Sequence, residues 1–315
     1  MMFANESDSL SIVKKHLAMS FDVDEKNLSQ WLNWHGRSEG KLIRSHLALS
    51  SGEALGVSKH TAIIWAVVCE LIHSASLLHD DICDSDEIRR GKVSVWKNFG
   101  IPAAICTGDY LIAESFRKIT EIEQGWHQNI LLNLLSGTVK EIVFGQSGDV
   151  NSNFLSLGWE EYIKLATAKT SPLICLPIMG MFKCAELEEP YYTNLRKLTD
   201  EIGLAYQIVN DLENILFNQP NEIPTDIKFE RVNALIVLLK EMSSKKEINF
   251  LKKNKSELTQ YLLSSNIADD LIIKIENILQ GIKNSLYLMP VAIRPIISSL
   301  SEEIEKRSHQ FAHAN

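Results

Sequence analysis

The run Glu70-Leu71-Ile72-His73-Ser74-Ala75-Ser76-Leu77-Leu78-His79-Asp80-Asp81-Ile82-Cys83-Asp84-Ser85-Asp86-Glu87-Ile88-Arg89-Arg90-Gly91-Lys92 begins as an apolar helix and ends in charge. Upstream of it Ile63, Val67, Leu71, Ala75 and Leu78 recur at helical spacing, which predicts one buried helix that delivers the carboxylates at its C-terminal end. Residues four apart share a helical face about 5.4 Å apart, so Asp80 and Asp84 present their oxygens to one point, with Asp81 rotated by about 100° from Asp80. Three carboxylates within five residues, followed by Asp86 and Glu87, repel one another unless a cation lies among them, and they sit at the helix end where negative charge is unfavourable. Hard oxygen donors of this kind suit magnesium, which takes one or two carboxylates and completes its shell with water and phosphate. Next come Arg89, Arg90, Gly91 and Lys92, with guanidinium forks that match phosphate oxygens and a glycine that lets the chain turn back. An acidic cluster followed by a basic one implies a diphosphate bound through magnesium.

Elsewhere helical periodicity dominates and alternating strand patterns are scarce, so an all-α fold is expected. Breaks are expected at 50–57, 90–102, 148–158, 186–190 and 217–224, where glycine, proline or polar residues cluster. With no linker, low-complexity tract or fixed-period repeat, residues 1–315 read as one helical domain. The lysine-rich segment 245–255 reads as a solvated turn. The hydrophobic fraction of 45% permits a sizeable core, and the net charge of −8 argues against a nucleic-acid surface. Five widely spaced cysteines form no Cys-x-x-Cys pair, which suggests reduced thiols and a cytoplasmic protein without structural zinc. No apolar run has the length of a signal peptide or a membrane span.

The run from Glu70 to Lys92 resembles the first aspartate-rich region of the trans-isoprenyl diphosphate synthases, the polyprenyl synthetase family, and the likeness continues through Trp96–Gly100 and Gly108–Leu111. Glu39-Gly40-Lys41-Leu42-Ile43-Arg44 is similar to that family's Gly-Lys-x-x-Arg element, with Ser45 where proline is usual. The resemblance implies that Lys41, Arg44, His73 and Arg90 grip isopentenyl diphosphate. Gly145-Gln146 with Asp149, Tyr162, Lys169-Thr170 and Tyr206-Gln207 resemble the middle region, which implies Lys169, Thr170 and Gln207 at the allylic diphosphate. It further implies an isoprenoid-synthase helical bundle with a central substrate cavity, Mg2+ as cofactor and a homodimer. Catalysis falls to Asp80, Asp81, Asp84, Arg89 and Lys169, with Arg89, Lys169 and Lys228 neutralising the leaving group. Ala75 and Ser76, both small, imply a tunnel open to a geranylgeranyl or longer all-trans product, unless residues in 139–144 close it.

The likeness departs at the second acidic motif. Where the family carries Asp-Asp-x-x-Asp, this chain reads Asn210-Asp211-Leu212-Glu213-Asn214. Asn210, Asp211 and Asn214 remain the candidate metal ligands, yet amide oxygens supply no net charge against a divalent ion. Two other readings stay open. The allylic cation could be cyclised or passed to a peptide or indole acceptor, for which the spacing of Asn210, Asn214 and Asn218 loosely resembles the metal motif of terpene cyclases. Alternatively, the chain could be a non-catalytic regulatory subunit. Intact Lys41, Arg44, His73 and Arg90 favour chain elongation.

Overall fold

The apolar stretch ahead of the aspartates folds as one 25-residue helix, α4 (Lys59–Cys83). A computed structural model describes residues 8–36, 40–150, 157–217, 222–243 and 254–311, apart from the side chains of 149 and 150. Ser58 starts α4 by accepting a hydrogen bond from the Thr61 amide at 3.1 Å, satisfying one donor of the first turn. The helix is buried on nearly every side from Thr61 to Ile72, as expected of an element apolar all round.

Among the described residues the other α-helices begin with α1 (Asp8–Phe21), α2 (Lys26–Gly36), α3 (Ile43–Ala54), α5 (Val95–Phe99), α6 (Ile101–Ile119), α7 (Gly125–Val150), α8 (Trp159–Cys184) and α9 (Glu189–Leu216). After them come α10 (Thr225–Lys228), α11 (Ala234–Met242), α12 (Lys255–Ser264), α13 (Ile267–Ser285) and α14 (Arg294–Ser308). The fold is all-α, as expected, with one addition: β1 (Ile88–Arg89) and β2 (Lys92–Val93) pair antiparallel. Arg90 and Gly91 form the turn with φ of 51° and 75°, the double left-handed geometry of a two-residue hairpin loop. Of the expected breaks, 50–57 is shorter than anticipated, since α3 continues to Ala54. Glu39, Asn218 and 244–253, which holds most of the lysine-rich segment, lie outside the described residues, as does the side chain of Asp149.

The chain divides into two compact units, Met1–Val139 with Leu173–Tyr192, and Lys140–Pro172 with Thr193–Asn315. In the first, α4 packs against α1, α3 and α6. Trp65, wholly buried, donates from Nε1 to the Pro177 carbonyl at 3.2 Å. A Cβ at Gly180 would fall 2.2 Å from that nitrogen, so only glycine lets this segment lie so close.

The second unit is organised around a buried carboxylate. Asp211 accepts hydrogen bonds from the Tyr162 hydroxyl (2.8 Å), Gln207 Nε2 (2.8 Å) and the Ala234 amide (2.7 Å). Asn233 caps α11 through the Leu235 amide and donates to Asp226 and to the Asp211 carbonyl. Burial and then the charge of Asp226 raise the Asp211 carboxyl, the three hydrogen bonds oppose them, and the net value is about 7. A folded-state value above the unfolded one means that the native state holds the proton more tightly. Stability is therefore lost as pH rises from about 4 to about 7. Denaturant unfolding of wild type and Asp211→Asn, measured at several pH values, should show the wild type losing about 4 kcal/mol relative to the variant across that range. A pH-independent difference would remove the buried carboxylate from this account.

Two helices, Lys59–Cys83 and Trp159–Cys184, are long and apolar enough to cross a membrane, with mean hydropathy of 1.7 and 1.3. This corrects the expectation that no stretch reaches that length. However, 78% and 67% of the two windows are buried within the protein, as in core helices.

Candidate functional site

The last turn of α4 sorts its three aspartates into two roles. Asp80 and Asp84 are half-buried and lie one turn apart, the Asp84 amide donating to the Asp80 carbonyl at 2.7 Å. Asp81 is turned inward, 2% exposed, and is held by Arg89, whose Nε donates to Asp81 Oδ1 at 2.6 Å and whose Nη2 reaches Asp86 Oδ2 at 3.0 Å. Burial raises the Asp81 carboxyl to about 6 against the opposing pull of Arg89. The guanidinium is committed to two carboxylates, tying the hairpin to α4, and Asp81 serves as its anchor. A neighbouring constraint comes from Gly108 on α6, where a Cβ would lie 2.2 Å from His79 Nε2. That close approach fixes the residue immediately before Asp80, and His79 Nε2 sits 3.5 Å from Asp109 Oδ1.

One turn and more up the same helix, a cavity of ≈ 410 Å³ opens with Lys14, His35, Gly40, Glu70, His73 and Arg90 among its lining residues. The Arg90 guanidinium lies over Gly40, so that a Cβ there would meet Nη1 at 2.7 Å. Arg90 itself holds φ of 51°, as the first position of the two-residue hairpin loop requires. Burial, then Arg44, then Arg90 push His73 well below the usual histidine value. Its ring is neutral, and its buried Nδ1 meets no hydrogen-bond partner within the chain. Burial also lowers His35 to about 4, with Arg90 and Arg89 adding to the effect. Arg44, half-buried, and Lys41, exposed, both lie outside the lining. Ser45, which stands where proline is usual in the resemblance, donates its amide to Glu70 Oε1 at 2.9 Å. Proline has no such donor, so the substitution gives a buried glutamate its partner.

In the second unit, Thr170 donates to Gln207 Oε1 at 3.1 Å and Gln207 in turn donates to Asp211. The two expected substrate contacts thus stand in one hydrogen-bonded line that starts at the half-buried Lys169-Thr170 pair. A Cβ at Gly145 would lie 2.6 Å from the Ala168 carbonyl, so α7 and α8 touch backbone to backbone there. Beside it both amide atoms of Gln146 are buried with no partner within the chain, a cost that a bound polar ligand would relieve. Lys228 is exposed, its ammonium 5.2 Å from the centre of the Phe229 ring.

The expected metal ligands of the second motif are otherwise engaged. The Asp211 carboxylate faces the interior with the three donors named above. Asn214 donates to Thr225 Oγ1 at 2.7 Å and accepts from the Asp226 amide at 3.2 Å. Asn210 Oδ1 accepts from Arg307 Nη2 at 2.8 Å. In this structure the side chains of Asn210, Asp211 and Asn214, the expected ligands, are all engaged within the protein, and so placed they do not fit a metal ion. Among the described residues no group of three or more His, Cys, Asp or Glu side chains is arranged to hold a metal alone. Asp80 and Asp84 still fit magnesium, whose remaining positions are filled by water and phosphate.

The model of the polyprenyl synthetase family matches residues 25–262. The chain belongs to the polyprenyl synthetase family. It is 27% identical over 271 residues to the short chain isoprenyl diphosphate synthase of Methanocaldococcus jannaschii, across 84% of this chain and 80% of that one. The geranylgeranyl pyrophosphate synthetase of Pyrococcus horikoshii superposes with a TM-score of 0.85 at 24% identity, over 97% of this chain and 98% of that one. The polyprenyl synthase of Caulobacter crescentus, solved with calcium and isoprenyl diphosphate, superposes with a TM-score of 0.82 at 20% identity, over 95% of each chain. At these identities the two superpositions establish the fold. Family membership and the curated relative indicate a trans-prenyltransferase.

Within this polyprenyl synthetase two residues near the site escaped the sequence. His35 ends the amphipathic α2, and only its neighbours Trp34 and Gly36 hint at a packed turn. Arg307 lies in the last eighty residues, which read as generic helices, and nothing local pairs it with a motif 97 positions earlier.

Proposed function

We propose that this chain is a magnesium-dependent synthase that condenses isopentenyl diphosphate with an allylic diphosphate and releases an all-trans polyprenyl diphosphate of geranylgeranyl length or more. The observation that carries the reading is the cavity beside His73 and Arg90. It is a second anion site besides the aspartates, and an enzyme that only ionised an allylic diphosphate would have little use for it. A neutral His73 donates one N–H without adding charge, whereas Arg90 offers its fork to two phosphate oxygens.

Asp80 and Asp84 would hold magnesium, which when bound would supply positive charge to the allylic diphosphate as its carbon–oxygen bond breaks. Lys169, Thr170 and Gln207 are the second unit's contacts for an allylic diphosphate; Gln207 is kept in one orientation by Thr170 and Asp211. Arg89 contributes by fixing Asp81 and the hairpin, so that Arg90 stays over Gly40. The double bond of isopentenyl diphosphate attacks the allylic cation, and the proton lost from the product passes to the departing pyrophosphate, so no side-chain base is required.

Ala75 and Ser76 are both small, and Ser76 turns its hydroxyl back to the His73 carbonyl at 2.8 Å, so neither projects bulk from this face of α4. Val143 and Phe144 are 58% and 73% exposed; they serve a homodimer surface better than a tunnel floor. The five free cysteines suit a reducing cytoplasm.

Product analysis by mass spectrometry after incubation with isopentenyl diphosphate and dimethylallyl, geranyl or farnesyl diphosphate tests the chain length. The expected products are geranylgeranyl diphosphate or longer, and a series that stops at farnesyl diphosphate would contradict the open path.

A further inference from the structure

The second acidic motif carries a cation of the chain's own. Arg307, on α14, donates from Nε to Glu213 Oε1 at 3.0 Å and from Nη2 to Glu213 Oε2 at 2.7 Å. The same Nη2 donates to Asn210 Oδ1 at 2.8 Å, and the guanidinium carbon lies 4.8 Å from the centre of the Tyr206 ring. The guanidinium is thus held from three sides, by a bidentate carboxylate, an amide oxygen and an aromatic ring. Phe217 and Phe311, with ring centres 5.1 Å apart, pack α9 to the chain following α14 and keep the two elements together.

The charges point the same way. Three carboxylates would favour a divalent ion, but two of the three positions are the neutral Asn210 and Asn214. The third, Asp211, is buried with its oxygens engaged by Tyr162, Gln207 and the Ala234 amide. The one additional carboxylate, Glu213, is balanced by Arg307. A magnesium ion arriving here would meet a site near neutrality with a guanidinium already bound to the first amide oxygen. Like charges at such distances repel strongly in a partly buried setting.

We propose that the second motif binds no magnesium and that the guanidinium of Arg307 takes its place as a fixed positive charge for the diphosphate. Gln207, Asn210 and Asn214 lie along one ridge of α9 at three- and four-residue spacing, so Arg307 stands next in line to the expected allylic contact Gln207. The chain has exchanged an ion that must be bound from solution for one that is covalently part of the fold. This inference rests on the diphosphate-binding reading above.

The test counts Mn2+ bound to the full chain by electron paramagnetic resonance, in the presence of inorganic pyrophosphate. Asn210→Ala and Asn214→Ala should bind as many ions as wild type. Arg307→Gln should leave the ion count unchanged and weaken pyrophosphate about tenfold, the loss of one charge-assisted contact. Arg307→Lys should recover part of that affinity, which a merely structural defect would not allow. A lower ion count in Asn210→Ala, an unaltered pyrophosphate affinity in Arg307→Gln, or a lysine variant no better than glutamine would each overturn the proposal. Wild type that binds no Mn2+ with pyrophosphate would remove the diphosphate reading and this proposal with it, whereas a fall in the Asn210→Ala count alone removes only the proposal.

Discussion

Asp80→Ala is expected to lower turnover by at least about 10³-fold, or roughly 4 kcal/mol of transition-state stabilisation, with helicity unchanged. Asp80 and Asp84 are the two half-buried carboxylates at the end of α4, whereas Asp81 is consumed by Arg89. Magnesium commonly takes only one or two protein carboxylates, so removing one of this pair takes away half of the protein's charge on the ion. The Asp80 carbonyl accepts the Asp84 amide at the helix end, a backbone bond that alanine keeps, so α4 should stay intact. Circular dichroism and kcat measured on one preparation decide the matter, and retained turnover would refute the role assigned to Asp80.

The second large effect falls on the other anion site. Arg90→Ala should raise KM for isopentenyl diphosphate about 100-fold, the loss of two charge-assisted hydrogen bonds worth about 3 kcal/mol, with little change in KM for the allylic partner. The hairpin complicates the experiment, because alanine inherits the left-handed φ at this position. Arg90→Lys keeps the charge and a similar backbone demand but loses the planar fork, so it should fall between the two. Equal rises in both Michaelis constants would mean that Arg90 acts through the hairpin and not on one substrate.

What the sequence disclosed divides along the distance between partners. The α4 helix, its buried face and the one-turn spacing of Asp80 and Asp84 depend on residues within a few positions of each other, and these were legible. The glycines that permit close approach were legible only as motif members. That Gly40 lies under Arg90, and Gly108 under His79, is a matter of packing. The burial of Asp211 depends on donors 49, 4 and 23 residues away, and a carboxylate in an acidic motif gives no local sign of facing inward. Arginine beside an acidic cluster suits either a phosphate or a carboxylate, and the pairing of Arg89 with Asp81 and Asp86 is set by geometry that the sequence does not carry. Arg307 was invisible for the same reason at longer range.

The most direct test of chain elongation uses isotopically labelled isopentenyl diphosphate with magnesium and each allylic diphosphate, following label and released pyrophosphate together. The structure predicts label in the extended product and one pyrophosphate released for each isopentenyl diphosphate consumed. Pyrophosphate released from the allylic substrate without incorporation of label, or no release with any allylic partner, would contradict it.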